Sequence, residues 1–319
     1  MGKGGRSNMN NTVRFNNSRT LEGKYIVITG ATSGIGYAAA KALVLRGAKL
    51  GIVARSRSKA AELSAELGKM TNGEAQIDCF IADMSSQQDI RRAAAEILNR
   101  VPRIDRLINN AGTMFVKKKL SEDGLEMTWA VNHLGPFLLT SLLLDRLIAS
   151  GDARIITTSS HGHKMARKGI DFNDMNGDRL YSGLKALLGG ANLRYGQSKL
   201  ANILFTAELA RRLKGTGVTA HCFDPGLVAT NFNQDNGGLA RLTMACMKPF
   251  SRTPEQGAQT LVWLAESSEL LLKSGGYYAD MKLQTPSNAA RDEAGASRLW
   301  QVSEEQTGLL AGPGLRRIQ

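Results

Sequence analysis

From Tyr25 onward the chain alternates short apolar runs with longer stretches whose apolar residues recur at helical spacing. The runs Tyr25–Thr29, Lys49–Ala54, Gln76–Ala82, Arg106–Asn109, Ala153–Thr158, Val218–Phe223 and Gly276–Ala279 predict strands. Such runs suit strands covered on both faces. The pattern therefore predicts an α/β chain, doubly wound, with a single parallel sheet of about seven strands and helices on both sides. Ile35, Ala38, Ala39, Ala42 and Leu43 form one apolar helix stripe that stops at Gly47. Ser86 and Asp89 read as a capping box, and Thr253-Pro254 supplies an N-cap and an N1 proline for a late helix.

Two stretches break the alternation, His161–Leu193 and the Gly-then-Met/Leu-rich Asn233–Arg252. Segments of this length serve as lids or binding loops. Leu239, Leu242, Met244, Ala245 and Met247 suit a flexible apolar lid and equally a packed core helix. Met1–Glu22 is polar, lacks the apolar core of a signal peptide or membrane anchor, and reads as a loosely docked arm. The expected division is thus an arm over 1–22, a catalytic domain over 23–284 and an extension over 285–319, helix-compatible around Arg291–Trp300.

Composition narrows the partners. The 319 residues suit one large α/β domain, and 42% hydrophobic with 22% charged residues is ordinary for a soluble globule. The net charge is +13, yet basic residues are spread along the chain and aromatics are only 6%. That combination argues against a nucleic-acid partner, and Lys117-Lys118-Lys119 reads as a solvated loop. Cys79, Cys222 and Cys246 are few, far apart and without metal-ligand spacing. They fit a reducing, cytoplasmic setting with no metal, and no transmembrane segment is expected.

The chemistry starts where the first strand ends, in Thr29-Gly30-Ala31-Thr32-Ser33-Gly34-Ile35-Gly36. Gly30 suits a tight turn, Gly34 lets backbone approach a ligand, and Gly36 lets the helix pack on the strand. The first-turn N–H groups and the helix dipole then attract a pyrophosphate. Far downstream, Tyr195 and Lys199 are four apart in a helical run and share a face. An ammonium beside a phenol lowers the phenol's pKa from near 10, which would let Tyr195 exchange a proton with a carbonyl or alcohol oxygen.

With these residues the chain resembles the short-chain dehydrogenase/reductase family, over about residues 24–280. The resemblance implies a Rossmann fold, with the glycine turn (Gly30, Thr32, Ser33, Gly34, Ile35, Gly36) holding the cofactor. Asn110 and Gly112, in Asn109-Asn110-Ala111-Gly112, match the segment that closes the adenine side. Asp83, followed by Met84, would accept from the adenine amino group or simply cap a strand end. Pro225, Gly226, Val228 and Thr230 match the segment that wraps the nicotinamide amide. Catalysis is implied for Asn132, Ser160, Tyr195 and Lys199, with Ser160 preferred to Ser159 as the serine that holds the substrate oxygen. Lys199 would also bind the nicotinamide ribose, and Asn132 would anchor a water linking Lys199 to solvent. His161 and His163 read as surface residues.

Val131-Asn132-His133-Leu134-Gly135 and Ser198-Lys199-Leu200-Ala201-Asn202 look most like the retinol dehydrogenase-like branch, which includes relatives of protochlorophyllide reductase and the WW-domain oxidoreductase. The reaction implied is hydride transfer at the carbonyl or alcohol carbon of a fairly large apolar substrate. Reduction of an enone or polyaromatic C=C bond is the alternative within this chemistry, and a catalytically silent NADP-binding sensor or scaffold the alternative outside it. No acid follows the second strand. Ala54 and Arg55 stand there, so NADP(H) is expected over NAD(H). Ser160 and Tyr195 are 35 positions apart, longer than the family pattern. The extra segment, Tyr181–Gly190, is expected to loop out at the pocket rim. It would also alter the helix face that family members use to form homo-oligomers.

Overall fold

The computed structural model describes residues 19–228, 251–271 and 273–309. Seven parallel strands form the sheet: β1 (Tyr25–Thr29), β2 (Lys49–Ala54), β3 (Ile77–Ile81), β4 (Arg106–Asn109), β5 (Arg154–Thr158), β6 (Thr219–Asp224) and β7 (Gly276–Ala279). A short antiparallel β8 (Lys282–Leu283) closes one edge, in the order β3-β2-β1-β4-β5-β6-β7-β8. This eighth strand lies beyond the sequence expectation, because two residues after a tight turn at Asp280 and Met281 carry no periodicity to read. The crossover direction reverses between β1 and β4. That crevice, at the carboxyl ends of the strands, is where an open α/β sheet places its ligand.

Both faces are covered, as the apolar strands require. On one side lie α1 (Gly34–Leu45), α2 (Arg57–Met70) and α7 (Pro254–Glu266), burying Ile28, Leu43, Ile52 and Leu261. On the other lie α3 (Gln87–Arg100), α4 (Met127–Ala149) and α6 (Gly190–Arg212). A five-residue α5 (Gly183–Leu187) precedes α6. A terminal α8 (Glu293–Thr307) packs on α6, and its Trp300 fills the space between Phe137 and Phe205. The helix starts are built as the sequence suggests. Thr253 and Gln256 form a reciprocal capping box, whereas Ser86 accepts from Asp89 N and Asp89 reaches back to Asp83 N instead. Met127–Ala149 is long and apolar enough to cross a membrane, but 78% of its apolar window is buried within the domain. It is a core helix.

Candidate active site

The glycine turn is tight enough to bring backbone to a ligand. Gly30 and Gly34 have φ of +69° and +53°, and a Cβ on Gly36 would overlap the Gly30 carbonyl. Ser33 precedes α1 without a side-chain cap, and no acid occupies the first turn. The helix start therefore keeps donors and dipole for an anion, which fits a dinucleotide pyrophosphate. Thr32 and Ile35 are half-buried and Ser33 is exposed around this mouth.

Asn110 braces the turn. Its Nδ2 donates to the Thr29 and Gly30 carbonyls at 3.3 Å, and its Oδ1 accepts from Thr158 Oγ1 at 3.3 Å, tying β1, β4 and β5 together. Gly112 stands nearer the catalytic side, since a Cβ there would lie 3.3 Å from Lys199 Nζ. Arg55 is exposed directly after buried Ala54. Asp83 Oδ1 accepts from Ser85 N and Oγ at 2.8 and 2.7 Å, and buried Met84 packs its carbonyl against Gly135.

The two serines after β5 part company. Ser159 is buried and donates to the Lys199 carbonyl at 2.8 Å, so it anchors α6. Ser160 caps the short 3-10 turn His161–Met165 and accepts from Gly162 N at 3.1 Å. A Cβ on Gly162 would lie 3.1 Å from the Tyr195 ring and 3.4 Å from Ser160 Oγ. Ser160 and Tyr195 thus meet around this glycine, despite the long insert between them.

Lys199 Nζ lies 5.7 Å from the Tyr195 ring centre and donates to the Thr158 carbonyl at 3.1 Å. Burial pushes the Tyr195 phenol up to about 12; the Ser160 contact pulls the other way and the nearby Asp224 carboxylate adds to the rise. Burial also brings Lys199 down to about 8, partly offset by Asp224. The lowered phenol pKa expected from the sequence is therefore corrected. Loss of solvent dominates at the phenol, and the ammonium is aimed at the Thr158 carbonyl.

Asn132 lies in a π turn, Ala130–Leu134, within α4. Its Oδ1 accepts from Thr113 N at 2.7 Å, while Nδ2 donates to Thr113 O and Ser198 Oγ at 2.9 Å. The side chain is thus fully engaged within the protein, in a π turn of the kind that recurs at functional sites. After β6, Gly226 (φ +77°) donates to Asp224 Oδ1 at 2.9 Å. Pro225 and Val228 are buried, and Val228 bridges to Arg252. Thr230 and the run Leu239–Met247 lie outside the described residues.

Three residues at the site escaped the sequence reading. Asn202 donates to the same Thr158 carbonyl as Lys199, at 3.0 Å, and its i+3 spacing from Lys199 was the available signal. Asp224 supplies the carboxylate field at both Tyr195 and Lys199. His163, expected at the surface, is fully buried. Ser287 N donates to its Nε2 at 3.3 Å, so its Nδ1–H donates to the Ser160 carbonyl at 2.8 Å and fixes that residue's backbone. His161 does stay exposed, 4.0 Å from Asp224. Behind Tyr195, the wholly buried Arg194–Glu126 pair (2.9 Å) and the Tyr181 hydroxyl on Glu126 (3.1 Å) pin the start of α6. Among the described residues no cluster of His, Cys, Asp and Glu could hold a metal ion.

Residues 24–171 match the family described as short chain dehydrogenase. The chain is 40% identical to mouse retinol dehydrogenase 12 over 289 residues, covering 91% of this chain and 88% of that one. It is 38% identical to human retinol dehydrogenase 14 over 310 residues, covering 91% and 88%. Among solved structures, an uncharacterised protein from Mycobacterium paratuberculosis aligns with TM-score 0.69 at 30% identity, over 90% of this chain and 94% of that one. A short chain dehydrogenase from Pseudomonas syringae aligns with TM-score 0.62 at 26% identity, over 81% and 95%. On this match and on the cleft that joins the glycine turn to Tyr195 and Lys199, the chain belongs to the short-chain dehydrogenase/reductase family and is an NAD(P)-dependent oxidoreductase of alcohol and carbonyl groups.

Proposed function

We propose that the chain interconverts a fairly large apolar carbonyl compound and its alcohol, of retinoid-like size, using NADP(H). The observation that carries this reading is the meeting of Ser160, Tyr195 and Lys199 at the end of β5, beside an uncapped glycine turn. The cofactor, when bound, supplies or accepts the hydride. In the reductive direction Tyr195, protonated at neutral pH because burial holds it near 12, gives its proton to the substrate oxygen. Ser160 holds that oxygen, with its backbone fixed by His163. Lys199 places positive charge beneath the phenol and would hold the ribose, while Asn132 would anchor a water toward Lys199. Asn202 steadies the Thr158 carbonyl on which Lys199 rests.

The preference for NADP(H) rests on the end of β2. Arg55 has no carboxylate partner among the described residues and no acid stands beside it, so a 2′-phosphate meets a free guanidinium. The retinol dehydrogenases among its relatives support an apolar alcohol or aldehyde as substrate. The test is NADPH oxidation over a panel of aromatic, steroid-like and long-chain carbonyls, with Tyr195→Phe as the blank. Turnover that survives unchanged in Tyr195→Phe would remove the proton-transfer role.

A further inference from the structure

The structure carries a half-open pocket beside α6. It has a volume of 720 Å³ and lies behind α6, between the 165–174 loop, the 179–185 segment and α8. Leu193 and Gln197 form its α6 wall. They are four residues apart, on a face turned about 160° from Tyr195, while Met165 at the opposite wall reaches the Gly162 turn beside Ser160 and Tyr195. Ile170, Phe172, Leu180 and Leu193 give it an apolar lining.

The charges around this lining do not cancel. Arg179 pairs with Asp171 at 2.9 Å and with Asp174 at 3.5 Å, which accounts for both carboxylates of the wall. Arg167, Lys168, Lys185 and Arg298 also line it, and none has an ion-pair partner among the described residues. Arg298 is held over the Phe172 ring, 4.7 Å from its centre, so a cation is fixed at the edge of the apolar floor. Gln197 is 5% exposed, and its carbonyl already accepts from Arg194 at 3.4 Å, leaving its NH₂ for an acceptor.

We infer that this cavity binds a single-chain amphipathic anion, an acidic head group on an apolar tail. Apolar walls without unpaired cations would suit a neutral lipid, and cations without the walls would suit a small inorganic anion. Here both stand on one half-open pocket. The tail lies along Ile170, Phe172 and Leu193, and the head group faces Arg298 and Lys185.

The test is calorimetric titration of the full-length protein with dodecanoate, dodecyl phosphate and dodecyltrimethylammonium, each as monomer. The two anions are expected to bind with one-to-one saturation and the cation at least roughly tenfold more weakly, since it meets like charge. The exposed pair Arg298→Ala with Lys185→Ala should weaken dodecanoate roughly tenfold. Ile170→Trp, which fills the cavity, should abolish binding. Tyr195→Phe should leave it unchanged, and NADPH affinity should persist throughout. Equal binding of anion and cation, wild-type affinity in the double variant, or loss of dodecanoate binding in Tyr195→Phe would overturn the assignment. So would binding only to anionic vesicles and never to monomers. Failure of NADPH to bind at all would contradict the proposed oxidoreductase instead, and leave this site standing.

Discussion

Lys199 is 3% exposed, yet it carries the charge on which the proton transfer depends. Its pKa falls from 10.5 to about 8 on folding, a gap worth about 3 kcal/mol. The sign follows from linkage. Below pH 8 the lysine is charged in both states and the native state bears the whole penalty. Between pH 8 and 10.5 the unfolded chain binds more protons, so stability rises with pH and the penalty fades. Lys199→Met keeps the stem and removes the charge. It forfeits one hydrogen bond to Thr158 O, about 1 kcal/mol, but Asn202 still satisfies that carbonyl. The variant should therefore be inactive and about 2 kcal/mol more stable at pH 7, near a 4 °C rise in Tm. Urea denaturation of both proteins at pH 7 and pH 10.5 reads the difference, which should vanish or reverse at the higher pH. A variant less stable at pH 7, or a difference unmoved by pH, would mean that the buried Lys199 charge is not the destabilising group.

Two further outcomes follow from the cofactor side of the cleft. Gly36→Ala places a methyl on the Gly30 carbonyl, which is backbone and cannot swing away, so fluorescence titration should show NADPH affinity reduced roughly tenfold or more. Arg55→Ala should lower the kcat/KM ratio of NADPH to NADH by roughly tenfold, mainly through KM for NADPH. An unchanged ratio would return Arg55 to the role of a solvated loop residue.

The strands, the glycine turn and the Tyr195–Lys199 pair could be read from residue pattern because each depends on local chemistry. A β-strand buried on both faces is apolar, and a turn at φ +69° whose Cβ would lie 2.8 Å from the Ala111 backbone demands glycine. What escaped the sequence depends on long-range contact. His163 looks like a loop histidine until Ser287, far along the chain, meets its ring. Asp224 looks like a strand end until the fold brings its carboxylate close enough to act on Tyr195 and Lys199. The direction of the Tyr195 shift failed for the same reason. Spacing places an ammonium near a phenol, but only the packed structure shows how completely solvent is excluded and that Lys199 points at Thr158.

Everything proposed for the cleft of Ser160, Tyr195 and Lys199 turns on hydride transfer at a carbonyl carbon. Its most direct test is turnover of the best carbonyl substrate with NADPH deuterated at nicotinamide C4, followed by mass and NMR analysis of the product. The expected product is an alcohol with one deuterium on the carbinol carbon, formed by the wild type and lost in Tyr195→Phe. Deuterium on a former C=C carbon, or no transfer from the cofactor, would contradict it.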